Sequence, residues 1–199
     1  ANTYEWGPTL PQSVTVNGST VSYTYDAAGN ITTITDGSLV TYYTYDSLNQ
    51  LVREDNAYSN KTVVYAYDNG GNILSRTEYP YSPTVEDVTT LTATNTVTYA
   101  YENTDWKDQL TSFNGEAITY DAIGNPLTYR GMTLTWQNGR QLATLSKAGL
   151  NVSYVYNDEG LRTQKTVNGV TTEYYWNGSQ LLGQKTGNSS LHFLYDERG

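Results

Sequence analysis

The octet Tyr23-Thr24-Tyr25-Asp26-Ala27-Ala28-Gly29-Asn30 recurs along the chain, and a recurring phrase restricts a fold to an array of like units. Tyr43-Thr44-Tyr45-Asp46 repeats it with Asn49 where the first copy has Gly29. Tyr65-Ala66-Tyr67-Asp68 follows with Gly71, and Ile118-Thr119-Tyr120-Asp121 with Gly124. Tyr154-Val155-Tyr156-Asn157 runs to Gly160, and Phe193-Leu194-Tyr195-Asp196 to Gly199. Tyr99-Ala100-Tyr101-Glu102 is a degenerate copy. Leu134-Thr135-Trp136 and Tyr174-Tyr175-Trp176 keep the aromatic but exchange the turn for Asn138-Gly139 and Asn177-Gly178. The second aromatic falls at 25, 45, 67, 101, 120, 136, 156, 176 and 195. The steps run from 16 to 22 residues except for one of 34, which encloses a Thr-rich stretch over 80–97. That stretch is expected to be an inserted loop or hairpin within a single array over residues 1–199.

Turn chemistry converts the period into a topology. Asp at the first position and Gly at the fourth favour a type I turn closing a hairpin, with Asp bonding the backbone two residues on. Asp36-Gly37, Asn114-Gly115, Asn138-Gly139 and Asn168-Gly169 form a second set, read as two-residue hairpins. Turns then alternate with strands of about 6 to 8 residues, each spanning roughly 20 to 26 Å. The prediction is an all-β fold, an antiparallel meander of stacked hairpins in a curved, open sheet. Tyr23 and Tyr25 lie two apart and face one side, so Tyr25, Tyr45 and Tyr67 fall into a column of packed rings. Ile31 and Ile34 break the alternation, which points to a bulge.

The composition agrees. There are 20 Tyr and 4 Trp against 2 Phe and 1 Met, a bias suited to a thin sheet whose rings keep their hydroxyls wet or bonded. A net charge of -9 disfavours nucleic acid and anionic membrane surfaces, and no apolar run is long enough to span a bilayer. Without cysteine, disulfides, thiolate nucleophiles and Cys-based metal sites are excluded.

The candidates for chemistry are few. His192 is the one histidine and sits beside Phe193 in a strand-like run, which reads as structural. Each repeated Asp holds the first place of a turn and has a structural task there. Asp68-Asn69-Gly70-Gly71-Asn72 lacks the carboxylate spacing of a calcium loop. No catalytic, metal or cofactor residue is assigned. Aromatic rings edged with Asn, Asp and Gln leave a glycan-binding, adhesive role as the alternative to scaffolding.

With these residues in view, the chain resembles the RHS or YD-repeat family, named for pairs such as Tyr25-Asp26, Tyr45-Asp46 and Tyr67-Asp68. Trp106-Lys107-Asp108-Gln109-Leu110, Trp136-x-x-Gly139-Arg140-Gln141-Leu142 and the run from Tyr154 to Arg162 resemble the late part of such arrays in bacterial wall-associated and Rhs proteins. The resemblance implies a sheet that spirals into a hollow shell around a C-terminal toxin or effector, in a secreted or cell-surface protein. It further implies a plugging, self-cleaving core that would begin after Gly199. The expected role is therefore non-enzymatic. The expected partners are the rest of the shell and the enclosed segment, with edge-strand pairing to a second copy when the segment is isolated.

Overall fold

The computed structural model describes residues 3–6 and 10–195, which form two compact units, Ala1–Leu110 and Thr111–Gly199. Asp196 and Gly199 of the last motif lie outside the described residues.

In the first unit the strands are β1 (Thr3–Trp6), β2 (Pro11–Val16), β3 (Ser19–Tyr25), β4 (Ile31–Asp36) and β5 (Leu39–Tyr45). They continue as β6 (Leu51–Asn56), β7 (Lys61–Tyr67), β8 (Ile73–Pro80) and β9 (Asn95–Ala100). Each pairs antiparallel with the next, as the meander required. Between β8 and β9, residues 81–94 form a strap with a single 3-10 turn at Val88–Thr90, capped by the Asp87 side chain accepting from the Thr89 amide.

The second unit opens with the short hairpin β10 (Ser112–Phe113) and β11 (Glu116–Ala117). Its main sheet runs β12 (Thr128–Tyr129), β13 (Met132–Gln137), β14 (Gln141–Lys147), β15 (Leu150–Tyr156) and β16 (Arg162–Val167). It ends with β17 (Val170–Asn177), β18 (Gln180–Thr186) and β19 (Ser189–His192), again paired in sequence order.

The bulge foreseen near Ile31 is present. Tyr25 faces Ile31 while Thr24 faces Thr33, so Thr32 is the extra residue. That insertion restores the alternation: Ile31 opposes Tyr25 and Ile34 opposes Tyr23, on one side of the sheet. The same shift recurs before Tyr45, Tyr67, Trp136, Tyr156 and Trp176.

The opposite edge is closed by short turns, and two differ from expectation. Asp36 pairs with Leu39, so the loop is Gly37-Ser38 and Asp36 belongs to the strand. Gln137 pairs with Gln141, which makes Asn138-Gly139-Arg140 a three-residue loop. Asn114-Gly115 and Asn168-Gly169 are two-residue loops with both residues at positive φ, the twist that matches right-handed strands.

One face carries the paired motif tyrosines such as Tyr43 and Tyr45, and the other, which includes Tyr42, is rich in hydroxyls. On the latter, cross-strand pairs such as Thr24–Thr33 and Thr135–Thr144 join oxygens at 2.6 Å. The interior is thin and partly polar. Val63 and Val88 are buried in the first unit, alongside Thr62, Asp55 and Glu78; Ile118, Leu134 and Val152 are buried in the second.

Candidate functional site

The repeated corner is built around one carboxylate oxygen. Oδ1 of Asp26 accepts from the amides of Ala28 at 2.9 Å and Asn30 at 2.8 Å, while the Asn30 side-chain amide donates to Oδ2 at 2.9 Å. The backbone closes the ring: Gly29 N–H donates to Asp26 O, and Asp26 N–H to Asn30 O. Gly29 sits at φ +89, where a Cβ is strained. Asp68 and Asp121 repeat the full pattern with Asn72 and Asn125. Asp46 keeps both amide bonds, and Asn49 takes the glycine's place at φ +61. Asn157 supplies an amide oxygen to Leu161 N–H at 2.8 Å. Hydrogen bonding, led by the Asn30 and Asn72 side chains at Asp26 and Asp68 and by the Asn125 amide at Asp121, holds these three carboxyls below the ordinary aspartate range. Successive corners also touch, since the Asn30 side chain donates to Asn49 Oδ1 at 2.9 Å.

The second aromatic of seven of the nine motifs links its repeat to the one before. Tyr45 Oη donates to Ile31 O at 3.0 Å, Tyr67 Oη to Leu51 O at 2.7 Å and Tyr156 Oη to Leu142 O at 3.1 Å. Tyr25 does the same to Pro11 O at 2.7 Å, and Tyr195 to Leu181 O. Where the motif has Trp, the indole substitutes: Trp136 Nε1 donates to Pro126 O at 2.7 Å and Trp176 Nε1 to Arg162 O at 2.9 Å. The bulge explains the target. The β4–β5 ladder begins only at Thr33, so the carbonyl of Ile31 has no ladder partner and the tyrosine hydroxyl satisfies it. Burial pushes the Tyr45 and Tyr67 hydroxyls above the usual phenol range, helped at Tyr45 by the Asp26 charge. Successive motif aromatics are thus joined by hydroxyl-to-backbone bonds, a link that alternation alone does not reveal.

Several sequence candidates stand apart from one another. Asp26, Asp46, Asp68 and Asp121 each stay within their own corner. His192 lies exposed on β19, opposite Gly183. Among the described residues no group of three or more His, Asp or Glu is placed to hold a metal ion, and no helix is long and apolar enough to cross a membrane. Ile118, which stands where other copies have Tyr, is buried at 7% exposure.

One cluster escaped the sequence reading. On the hydroxyl face, the Arg53 guanidinium uses every donor: Nε and Nη2 on Asp55, Nη1 on the carbonyls of Val85 and Glu86, and Nη2 on Ser82 O. Thr62 Oγ1 donates to Asp55 Oδ1 and accepts from Ser82 N–H at 3.0 Å. The strap is thereby fixed to β6 and β7. An Arg and an Asp two apart in a strand share a face, and that was the available signal.

Residues 12–41, which span the first corner, match the family model described as RHS Repeat. Over 144 residues the chain is 36% identical to the tRNA nuclease WapA of Bacillus subtilis (strain 168), covering 69% of this chain and 5% of that protein. The chain belongs to the RHS/YD-repeat family. A second relative, the tRNA3(Ser)-specific nuclease WapA of Bacillus spizizenii, is 37% identical over 144 residues, again 5% of its length. The RHS repeats here therefore correspond to a small fraction of those polypeptides. Crystal structures of TcdB2-TccC3-TEV and TcdB2-TccC3-Cdc42 share the fold at TM-score 0.64 and 17% identity. The first covers 98% of this chain and 11% of the solved one. The fold is that of an all-β, structural RHS-repeat segment.

Proposed function

We propose that these repeats form a stretch of wall in a β-shell that encloses a C-terminal toxin or effector, in a secreted or cell-surface bacterial protein. The observation that carries this reading is the hydroxyl ladder. Within each unit, successive repeats are tied through the same aromatic at Tyr25, Tyr45, Tyr67, Trp136, Tyr156, Trp176 and Tyr195, so the array extends by repetition. Relatives named as nucleases and a fold shared with TcdB2-TccC3 support the association with an effector. In this reading the wall carries no chemistry, and the motif residues from Tyr23 to Gly199 are scaffold.

The test lies in the reading frame that encodes the repeats. Expressed whole, it should carry further strands and a variable C-terminal segment that resists protease inside the intact protein and is digested once the shell is denatured. A segment digested equally fast in both states refutes enclosure.

Adhesion to glycans is the second reading, favoured by rings outside the ladder: Tyr58 and Trp106 are exposed at 80% and 49%. Glycan-array binding by the chain that is lost in Tyr58→Ala supports it; an array without signal removes it.

A further inference from the structure

The strap over 81–94 interrupts the period and has no part in the ladder, yet it walls a groove of about 660 Å³ against β5, β6 and β7. This volume lies within the range of ordinary ligand sites. Tyr42, Val52 and Val64 form the floor, with Pro83, Val85 and Val88 on the strap side. Tyr42 lies on the opposite face from Tyr43 and Tyr45, and the residue remains 42% exposed.

The charge at this groove is one-sided. Arg53 has spent all its donors, and its charge is matched by Asp55 beneath it, so it offers nothing to an anion. Glu86 and Asp87 line the groove from the exposed strap, and Thr89 occupies only Oδ1 of Asp87. The surrounding unit adds to this field, with 13 Asp and Glu against 4 Lys and Arg, whereas the second unit has seven of each.

An apolar floor, an accessible tyrosine ring and two carboxylates together fit a cation on an alkyl stem: the stem lies on the valines and the head lies over the ring. Thr44 and Thr84 line the same open groove and present hydroxyls that can bond a peptide backbone. We propose that this groove binds a lysine- or arginine-bearing stretch of polypeptide, its cationic side chain held between the Tyr42 ring and the carboxylates of Glu86 and Asp87.

The test is calorimetric titration of the 199-residue chain with an acetylated, amidated Gly-Arg-Gly-Arg-Gly peptide, in enough salt to confine attraction to about 8 Å. Saturable binding is expected. Tyr42→Leu should weaken it about fivefold, the loss of one cation–π contact of about 1 kcal/mol. Glu86→Gln and Asp87→Asn should each weaken binding several-fold, and Asp105→Asn, away from the groove, should leave it unchanged. Asn is a good cap, so Asp87→Asn preserves the strap's turn. Circular dichroism identical to the parent marks each variant as folded. The proposal is overturned if Asp105→Asn weakens binding as much as Asp87→Asn, or if a citrulline peptide binds as tightly. It is equally overturned if spermidine binds as tightly with the same Tyr42 dependence, because the groove would then serve a free polyamine.

Discussion

Replacing Tyr45 by Phe tests the ladder at a single rung. The substitution keeps the ring and removes only the hydroxyl that donates to Ile31 O at 3.0 Å. A neutral hydrogen bond contributes about 0.5–1.5 kcal/mol net, and a half-buried site belongs near the middle, so the expected loss is about 1 kcal/mol. Rings held together only by stacking would instead make Phe neutral. For a unit of this size, a urea slope of about 1–3 kcal/mol/M converts the loss into a midpoint lowered by about 0.3–1 M. Urea unfolding followed by far-ultraviolet circular dichroism measures that shift directly. Tyr67→Phe, whose bond to Leu51 O is 2.7 Å, should cost at least as much. Tyr58→Phe is the control, since that residue is 80% exposed and outside the ladder. Successive rungs are two strand spacings apart, about 9.6 Å, so the Tyr45→Phe and Tyr67→Phe losses should add within a few tenths of a kcal/mol. Tyr45→Phe unfolding that superimposes on the parent, or Tyr58→Phe costing as much, would refute the ladder.

Acid should loosen the corners. The folded carboxyls of Asp26, Asp68 and Asp121 lie below their unfolded value, so their stabilisation is present above about pH 4 and fades as the pH falls through the folded values. A urea midpoint that stays flat from pH 5 to pH 2 contradicts this, and Asp68→Asn, which retains the Oδ1 acceptor, should flatten the profile in part. Arg53→Ala leaves Asp55, 5% exposed, as a buried unpaired carboxylate; the expected loss is about 3–5 kcal/mol, with early proteolysis in the strap and partial recovery on adding Asp55→Ala. A Cβ at Gly183 would meet Leu191 O at 2.8 Å, so Gly183→Ala must part β18 from β19. Amide exchange should then accelerate at Phe193, which donates to Leu182 O, and remain unchanged in β13–β15.

The corners were legible because their chemistry is local: Asp26 and Gly29 solve one turn within five residues, and the same letters at 46, 68 and 121 solve it again. The bulge was legible as a fault in the alternation, Ile31 against Ile34, although its reason was not. That reason joins residues 14 apart, because the bulge leaves a carbonyl that the next repeat's ring reaches. Short turns were misplaced by one residue at Asp36-Gly37, since a dipeptide preference does not say which residue the register takes into the strand. The Arg53 cluster lay beyond reach for a different cause. Its acceptors on the strap are 29 to 33 residues away, and no period connects them.

The departures from the motif show what a corner requires. Asn157 replaces the acid and still accepts from Leu161 N–H through Oδ1, and Gly160 still closes on Asn157 O. Asp46 keeps the acid but is followed by Gln50, and the corner holds on its two Oδ1 bonds with no amide on Oδ2. The shared element is therefore one side-chain oxygen accepting the backbone amide four residues on, with the second amide bond and the charge as supplements of the acid corners. A second requirement follows from the aromatic. Tyr and Trp both place a donor at the preceding repeat's orphan carbonyl, whereas Phe would reach the same place without one. The motif thus selects for a hydrogen-bond acceptor at one position and a ring-borne donor at the other, two demands of backbone satisfaction that a reactive acid or a bare stacking ring would not impose.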